Sequence, residues 1–183
     1  MKIEINSNWT LFLDRDGVLN KEKSNNYILN WDEFLFYDGV KEALKILNPL
    51  FKTIVVVTNQ RGVGKNLMTL NDLNLIHENL KTEIENSGGR IDKFYFCTDI
   101  ENTSQNRKPN PGMALQAKQD FQHINFSQSI MVGNKLSDME FARNVGMKSV
   151  FVATTHPETT FPHSFIDYRF NDLLAFAEAL KKS

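Results

Sequence analysis

Short apolar runs alternate with longer segments of helical periodicity along the whole chain. Five runs predict β-strands, and they are Trp9–Asp14, Thr53–Thr58, Lys93–Cys97, Ser129–Gly133 and Lys148–Ala153. Most of these runs are uninterrupted, which is typical of strands covered by helices on both faces of a parallel sheet. The pattern therefore predicts an α/β fold built from repeated strand-helix units.

Five segments between and after these strands predict helices. They are Gly39–Leu47, a segment from Thr69 to Gly88 and Gly89, a segment from Asn110 and Pro111 to about Phe121, a segment from Ser137 to about Gly146, and Asn171–Lys181. Thr69 with Asp72, and Ser137 with Glu140, have the spacing of a capping box. Asn110 followed by Pro111 has the pattern of a cap residue and a first-turn proline.

The bulk composition narrows the classes of function. A length of 183 residues without an internal repeat or linker leads us to expect a single domain over residues 1–183. The net charge of -1 removes the electrostatic basis for a nucleic-acid partner. Cys97 is the only cysteine, which excludes an internal disulfide and favours a cytoplasmic location. The N-terminus has no apolar stretch behind a basic start, so neither a secretory signal nor a membrane partner is expected.

Polar residues cluster where the predicted strands end. The segments are Asp14-Arg15-Asp16-Gly17 after the first strand, Thr58-Asn59-Gln60-Arg61-Gly62 after the second, Arg107-Lys108-Pro109 before the third helix, and Gly133-Asn134-Lys135-Leu136-Ser137-Asp138 after the fourth strand. In open parallel sheets, ligands bind beyond the carboxyl ends of the strands. These four segments are therefore expected to converge on one site.

Asp14 and Asp16 are two carboxylates two residues apart on one loop. Such a pair can converge on a hard cation, and a buried carboxylate can attack phosphorus to form an aspartyl-phosphate, while the second carboxylate exchanges a proton with the leaving group. The same residues are equally typical of a structural turn. A calcium loop is excluded, because Val18 and Asn25 take positions where that loop needs ligands.

Thr58 and Lys108 carry little information by themselves. The Thr58 hydroxyl can hold phosphate oxygens or simply end a strand, and Lys108 can neutralise charge in phosphoryl transfer or remain a solvated lysine. The segment from Gly62 to Lys65 is not a phosphate-binding P-loop, because Asn59 occupies the position of its first glycine.

The order of these pieces along the chain resembles the haloacid dehalogenase-like (HAD) phosphatases, and most closely their histidinol-phosphate and heptose-bisphosphate phosphatase branch. The likeness is carried by Phe12–Gly17, Thr58–Gln60, Arg107–Pro109, Pro111–Met113 and Val132–Gly133, and it covers roughly residues 9–150. It implies a three-layer, Rossmann-like parallel sheet with helices on both faces and no cap domain. It also implies a Mg²⁺-dependent phosphatase, a phosphoric monoester hydrolase that acts on a small phosphorylated metabolite.

The resemblance implies a role for each matching residue. Asp14 would be the nucleophile and a metal ligand, and Asp16 the acid/base, ligating the metal through its backbone carbonyl. Thr58 would hydrogen-bond the phosphoryl oxygens, and Lys108 would pair with Asp14 and the phosphate. Substrate binding would fall to four neighbouring residues, which are Asn59, Gln60, Arg61 and Arg107. With an ordinary aspartate pKa of about 3.9, Asp14 is expected to be ionised at neutral pH.

The sequence departs from the family pattern at two metal sites of the family, the Mg²⁺ site and the zinc loop. Asn134 stands where the family usually has an acidic ligand, and an amide oxygen still ligates Mg²⁺ but adds no charge, so weaker binding is expected. Asp138 either replaces that ligand or is a first-turn acid stabilised by its helix dipole. The zinc loop of the branch keeps only its first ligand, Cys97, while Asp99, Ser104 and Asn106 stand at the others. No structural zinc is therefore expected.

The substrate remains the most open question. The segment between Asp14 and Thr58 is too short for a cap domain, so loops over an open site must provide specificity. Arg61, Lys65 and Arg107 either hold a second phosphate or carboxylate of the substrate or are solvated surface charges. A heptose 1,7-bisphosphate is the first expectation and histidinol phosphate the alternative. A phosphate-binding regulatory protein and a nucleic-acid end-processing enzyme are further alternatives, and the sequence does not determine the oligomeric state.

Overall fold

The computed structural model describes residues 3–23 and 26–182. Its centre is a parallel sheet of six strands in the order β3-β2-β1-β4-β5-β6. The strands are β1 Thr10–Leu13, β2 Thr53–Asn59, β3 Lys93–Cys97, β4 Ser129–Gly133, β5 Lys148–Val152 and β6 Tyr168–Phe170. The four-residue strand β1 lies between β2 and β4, and all of its residues are buried.

Helices cover both faces of this sheet. They are α1 Val40–Leu47, α2 Arg61–Gly64, α3 Leu70–Asn86, α4 Gly112–Asp120, α5 Leu136–Val145 and α6 Leu173–Lys181. Leu11 and Leu13 pack on one face in a core that includes α1, α3 and α6. Phe12 points to the other face and packs with α4 and α5. The expected three-layer α/β architecture is confirmed, and the alternation of side chains along each strand explains why both faces are apolar.

All five predicted strands are present, and no predicted end differs from the observed one by more than one residue. Asp14 lies just beyond β1 rather than in it. The sixth strand, Tyr168–Phe170, was missed because it has only three half-buried residues with Arg169 in the middle. It pairs with β5 alone at the edge of the sheet, so it needs no continuous apolar run.

The helix predictions need two corrections at their starts. The capping box of Thr69 and Asp72 is confirmed. The one predicted from Ser137 and Glu140 is wrong, because α5 begins earlier, after Lys135, and Asp138 accepts from the amide of Lys135. Pro111 rather than Asn110 is the cap residue of α4. The sequence does not predict the short helix α2, since four residues containing two glycines give no apolar period.

The strand order creates a crevice for a ligand at one edge of the sheet. From β1, the sheet continues through β2 and β3 on one side and through β4, β5 and β6 on the other. Because the chain adds strands first on one side of β1 and then on the other, a crevice opens at the carboxyl ends of the central strands β1 and β4. Ligands bind in this crevice in folds of this class. No helix among residues 3–23 and 26–182 is long and apolar enough to cross a membrane.

Candidate active site

Asp14 begins the loop after β1 and lies at the carboxyl edge of the sheet. Its backbone amide donates to the carbonyl of Val132 on β4 at 2.9 Å, which continues the β1–β4 ladder by one bond. Its Oδ1 accepts from the amide of Arg15 at 2.8 Å and lies 2.9 Å from the ammonium of Lys108. Asp14 is only 6% exposed, yet it lines a cleft at this edge of the sheet. The carboxylate is thus fixed at the base of that cleft.

Lys108 bridges two buried carboxylates. Its ammonium lies 2.9 Å from Oδ1 of Asp14 and 2.7 Å from Oδ1 of Asp138. The lysine backbone is held from the side by Asn59, whose amide group accepts from the Lys108 N–H at 3.1 Å and donates to its carbonyl at 3.2 Å. The buried triad of Asp14, Lys108 and Asp138 therefore joins the loop after β1 and the first turn of α5 to the segment before α4.

Burial dominates the electrostatics of this triad. Burial raises the pKa of Asp14 to about 7, against the charge of Lys108 and with help from the negative charge of Asp138. Burial would lower the pKa of Lys108, but the two carboxylates outweigh it and raise that pKa. The expectation that Asp14 is fully ionised at neutral pH is therefore corrected. In the free protein Lys108 is therefore charged and Asp14 is only partly ionised at neutral pH, and further positive charge near Asp14 would favour its carboxylate form.

Asp138 is engaged on both of its oxygens. Oδ1 faces Lys108, and Oδ2 accepts from the backbone amides of Asn134 at 3.2 Å and Lys135 at 3.0 Å at the start of α5. Gly133 makes room for this carboxylate, because a Cβ there would lie 2.3 Å from the Cβ of Asp138. Asp138 thus stabilises the helix start and serves as the second counterion of Lys108.

Asp16 lies on the same loop and faces the cleft, with 24% of its side chain exposed. Its oxygens accept from Arg15 at 2.9, 3.0 and 3.2 Å, from Asn20 at 2.9 Å and from Gln60 at 2.8 Å. Burial opposes ionisation, but the Arg15 charge and these hydrogen bonds outweigh it and lower the pKa of Asp16. The carboxylate is therefore ionised in the free protein.

Thr58 ends the buried part of β2 beside Asp14 and Asp16 in the wall of the cleft. Its hydroxyl accepts from Nε2 of Gln60 at 2.9 Å, and the same nitrogen donates to Asp16. Gln60 is 2% exposed and does not line the cleft. The amides of Asn59 and Gln60, expected to bind substrate, are therefore occupied by protein groups in this structure.

Asn134 is fully buried against the loop that carries the two aspartates. A Cβ on Gly17, which has φ of 89°, would lie 2.0 Å from its Nδ2, so only glycine fits there. Nδ2 donates to Thr155 at 2.5 Å, whereas Oδ1 has no hydrogen-bond partner. An unpaired buried acceptor is costly and indicates a missing partner.

Oxygen atoms make up the possible metal ligands of this site. Within residues 3–23 and 26–182, no three His, Cys, Asp or Glu side chains form a group that could hold a metal ion. The ligands that the sequence predicts are instead oxygens, namely the Asp14 carboxylate, the Asp16 carbonyl and Oδ1 of Asn134, and the last of these has no hydrogen-bond partner in the protein. Hard oxygen ligands of this kind suit Mg²⁺, which typically takes one or two carboxylates and keeps several waters. The residues present fit that ion.

The cleft above the triad has a volume of about 620 Å³ and a cationic far wall. Arg61 from α2 and Arg107 both reach Oδ1 of Asn102, at 2.5 and 3.4 Å. Their other hydrogen bonds go to the backbone carbonyls of Ile100 and Asp99, and none of the ion pairs among the described residues includes either arginine. Burial, together with the neighbouring Arg61 charge, lowers the pKa of Arg107. Guanidinium groups without a carboxylate partner are able to pair with an anion.

The segment expected to lack zinc is held by hydrogen bonds. Cys97 Sγ lies 3.7 Å from the hydroxyl of Ser104, which itself donates to the carboxylate of Asp99. Asn106 accepts from Gln116 of α4 at 3.0 Å. Neutral side chains and one carboxylate thus tie together the loop that carries Asn102 and Arg107.

The sequence does not predict three residues of the site, namely Asn20, His77 and Thr155. His77 occupies a position on the apolar face of α3, beside Leu73 and Ile76, and a histidine on such a face was the one available signal. Asn20 and Thr155 reach the site from loops. No periodicity marks such residues, because their partners are distant in sequence.

Comparison with known proteins agrees with this geometry. The family model described as HAD-hydrolase-like matches residues 105–165. The heptose-1,7-bisphosphate 7-phosphatase of Mycobacterium tuberculosis (strain ATCC 25618 / H37Rv), which is named for the α-anomer, is 38% identical over 175 residues, covering 94% of this chain and 91% of the relative. The β-anomer 7-phosphatase of Escherichia coli (strain K12) is 35% identical over 182 residues, covering 94% and 93%.

A solved structure shares the architecture along nearly its whole length. It is the D,D-heptose 1,7-bisphosphate phosphatase of B. bronchiseptica in complex with magnesium and phosphate, with a TM-score of 0.83, 27% identity and coverage of 95% of this chain and 98% of that one. With its fold, its site and these relatives together, the chain belongs to the HAD-like hydrolases. The three relatives named here, each matched over more than nine tenths of this chain, are heptose-bisphosphate phosphatases.

Proposed function

We propose that this protein is a Mg²⁺-dependent phosphatase that removes the 7-phosphate of a heptose 1,7-bisphosphate through an aspartyl-phosphate on Asp14. The observation that carries the proposal is the carboxylate of Asp14, held 2.9 Å from Lys108 at the base of a cleft whose wall includes Thr58 and Asp16. A nucleophile, a cation, a hydroxyl and a second carboxylate at one point are the groups that phosphoryl transfer requires.

In the first half of the reaction, an oxygen of the Asp14 carboxylate forms a bond to phosphorus. The bond from phosphorus to the sugar oxygen breaks, and its electron pair stays on that oxygen. Asp16, which is ionised in the free protein, takes up a proton from water when the anionic substrate binds and passes that proton to the sugar oxygen. Lys108 balances the charge on the transferred group. The Thr58 hydroxyl donates a hydrogen bond to a phosphoryl oxygen, since its own oxygen already accepts a hydrogen bond from Gln60.

In the second half, water attacks the phosphorus of the aspartyl-phosphate. Asp16 takes the proton of that water, inorganic phosphate forms, and the Asp14 carboxylate is released. The lowered pKa of Asp16 suits this step, because the ionised form is the one that accepts a proton. We further propose that Asn59 and Gln60 serve the reaction by holding Lys108, Thr58 and Asp16 in place.

Mg²⁺ would be held by the carboxylate of Asp14, the backbone carbonyl of Asp16 and Oδ1 of Asn134. When bound, it would supply the positive charge that keeps Asp14 ionised and neutralises the phosphate. Asp138, also considered as a ligand, is assigned instead to Lys108 and to the start of α5, because both of its oxygens are engaged there.

Asn134→Asp is expected to tighten Mg²⁺ binding about 10-fold or more, because a carboxylate adds a full negative charge where the neutral amide oxygen now stands. The measurement is calorimetric titration of the metal-free protein with Mg²⁺. The control is Asn86→Asp, which adds the same charge at an exposed position in α3 and should leave the affinity unchanged. An affinity that does not respond to Asn134→Asp would remove Asn134 from the ligand set.

The second phosphate of the substrate has a matching surface at the far wall of the cleft. Arg61 and Arg107 share Asn102 and have no carboxylate partner, so an anionic group of the substrate can pair with both. We propose that the 1-phosphate of the heptose lies there while the 7-phosphate meets Asp14. Support comes from the cleft itself, since the same cavity is lined by Asp14 and by both arginines.

Arg107→Gln is expected to raise KM for the 1,7-bisphosphate about 10- to 100-fold, because it removes a charge-assisted hydrogen bond to the 1-phosphate. KM for heptose 7-phosphate should change less than about threefold, because that substrate lacks the 1-phosphate. The measurement is phosphate release with Mg²⁺ from both anomers of the bisphosphate, from the monophosphate and from histidinol phosphate.

The matched control for that experiment is Arg143→Gln, at an exposed arginine that pairs with Asp167 on another side of the molecule. It should leave both KM values unchanged. An equal rise of KM for the bisphosphate and the monophosphate would contradict the placement of the 1-phosphate at Arg107. Faster release from histidinol phosphate than from either bisphosphate would assign the substrate differently.

We also propose that residues 1–183 form one domain. A single apolar cluster includes Leu11 and Leu13 of β1, residues of α1 and α3, and residues of the last helix, such as Leu173. The first and last elements of the chain therefore share one core, which is typical of a single cooperative unit.

A further inference from the structure

A fully buried arginine lies directly behind the proposed acid/base. Arg15 has 0% exposure although it sits between Asp14 and Asp16 at the edge of an open cleft. Burial of a guanidinium is costly unless every part of it is paired. Its partners are Asp16 on one side and His77 on the other. Because Arg15 is absent from the lining of the cleft, it does not reach the substrate.

Arg15 restrains the rotation of the Asp16 side chain. Nη2 donates to both carboxylate oxygens at 2.9 and 3.0 Å, and Nε donates to Oδ1 at 3.2 Å. Asn20 holds Oδ1 and Gln60 holds Oδ2 from the other directions. A carboxylate with different donors on its two oxygens cannot turn about its side-chain bond without breaking several of these contacts.

His77 fixes Arg15 in turn. Its Nε2 lies 3.4 Å from Nη1 of Arg15, and its ring stacks on Phe94 with centroids 4.5 Å apart and an interplanar angle of 11°. Burial, with the nearby charge of Arg15, lowers the pKa of His77 to about 3. The ring is therefore neutral and can accept a hydrogen bond from Arg15 at Nε2. This connects helix α3 to the acid/base through two side chains.

We propose that Arg15, oriented by His77, is a positioning residue that acts on the reaction through Asp16 by holding its carboxylate toward the cleft. This inference rests on the proposed function, in which Asp16 exchanges protons with the leaving oxygen and with water. Arg15 and His77 would then affect turnover although neither residue contacts the substrate. Their effect should disappear when Asp16 can no longer transfer a proton.

The test is a double-mutant cycle on kcat with the heptose 1,7-bisphosphate and Mg²⁺. Arg15→Lys keeps a positive charge but cannot bind both carboxylate oxygens as a planar fork. It is expected to lower kcat about 100-fold when Asp16 is present, in the range of general acid–base contributions. In the Asp16→Asn background, assayed at high protein concentration, the same change should lower kcat less than about threefold.

His77 gives a second cycle with less risk to folding. His77→Phe keeps the stack on Phe94 but removes the acceptor, and it should lower kcat about 10-fold when Asp16 is present and less than about twofold with Asp16→Asn. His77→Gln offers a side-chain oxygen to Arg15 and should restore most of the loss. KM should stay within about twofold throughout, since neither residue touches substrate. Arg143→Lys, at the exposed pair with Asp167, is the control and should leave kcat unchanged.

The outcomes separate the two proposals. If Arg15→Lys and His77→Phe lower kcat by the same factor in the Asp16→Asn background as in the wild type, the two residues act independently of Asp16. That result would show a general structural role and overturn the positioning role. No loss of kcat in either variant would overturn it as well. If Arg15→Lys does not fold, as judged by thermal melting, the His77 cycle alone decides. A wild-type protein that releases no phosphate with Mg²⁺ would overturn the proposed function, and this inference would fall with it.

Discussion

Asp14→Asn is expected to lower phosphate release about 10⁴-fold or more, because the amide cannot form the aspartyl-phosphate on which both halves of the proposed reaction depend. The measurement is release of phosphate from the heptose 1,7-bisphosphate with Mg²⁺, on the wild type and the variant. Asp32→Asn is the control, since it makes the same chemical change at an exposed residue and should leave turnover unchanged. Turnover within about 10-fold of the wild type would remove Asp14 as the nucleophile.

The same variant should fold at least as stably as the wild type in metal-free buffer. Burial raises the pKa of Asp14 from 3.8 to about 7, so the folded protein disfavours the ionised side chain. A group with a raised pKa contributes stability that is present below its unfolded value and lost as pH rises through the folded value. Because asparagine is neutral, the variant should lack this loss between pH 4 and pH 7, and its melting temperature should match or exceed that of the wild type at neutral pH. A marked drop would show a structural role for the charge of Asp14.

Lys108→Met is expected to have the largest effect on stability. It leaves Asp14 and Asp138 buried together without the ammonium that lies 2.9 and 2.7 Å from them. Removal of one partner from a buried charge pair typically costs about 3–5 kcal/mol of unfolding free energy. The loss should be smaller at pH 6 than at pH 8, because Asp14 can take up a proton at the lower pH and relieve the repulsion. Urea unfolding of the metal-free protein at the two pH values measures both effects.

Two further variants make that prediction specific. Lys93→Met breaks the exposed pair with Asp120, whose side chains are 48% and 41% exposed, and should cost no more than about 1 kcal/mol. Adding Asp138→Asn to Lys108→Met removes one of the stranded charges and should recover much of the stability, while turnover should stay about 10³-fold or more below the wild type, since the cation that balances the phosphate is still missing. Equal losses at positions 93 and 108 would contradict the buried-triad interpretation.

The fold was largely predictable because its signals are local. The apolar runs that form β2 and β4 are buried on both faces, so nearly every residue in them reports its environment. The start of α3 was equally legible, since Thr69 and Asp72 form their capping box within four residues. The edge strand β6 could not be predicted, because a half-buried strand has no continuous apolar pattern. The start of α5 could not be predicted either, because Asp138 accepts hydrogen bonds from the backbone amides there only when Gly133 leaves room for its side chain.

The sequence by itself determined which residue types follow which strands, and parallel packing then brings the ends of β1, β2 and β4 to one edge. Strand order indicated that Asp14, Asp16 and Thr58 lie at one edge, and the resemblance to the HAD phosphatases added Lys108 and the roles of all four residues. The tertiary structure alone decided what surrounds them. The pKa of Asp14 depends on how deeply it is buried and on its distance to Lys108, and the orientation of Asp16 depends on Arg15 backed by His77 from a distant helix. Charge interactions, desolvation and hydrogen-bond directions act through space, and a periodicity along the chain carries no record of them.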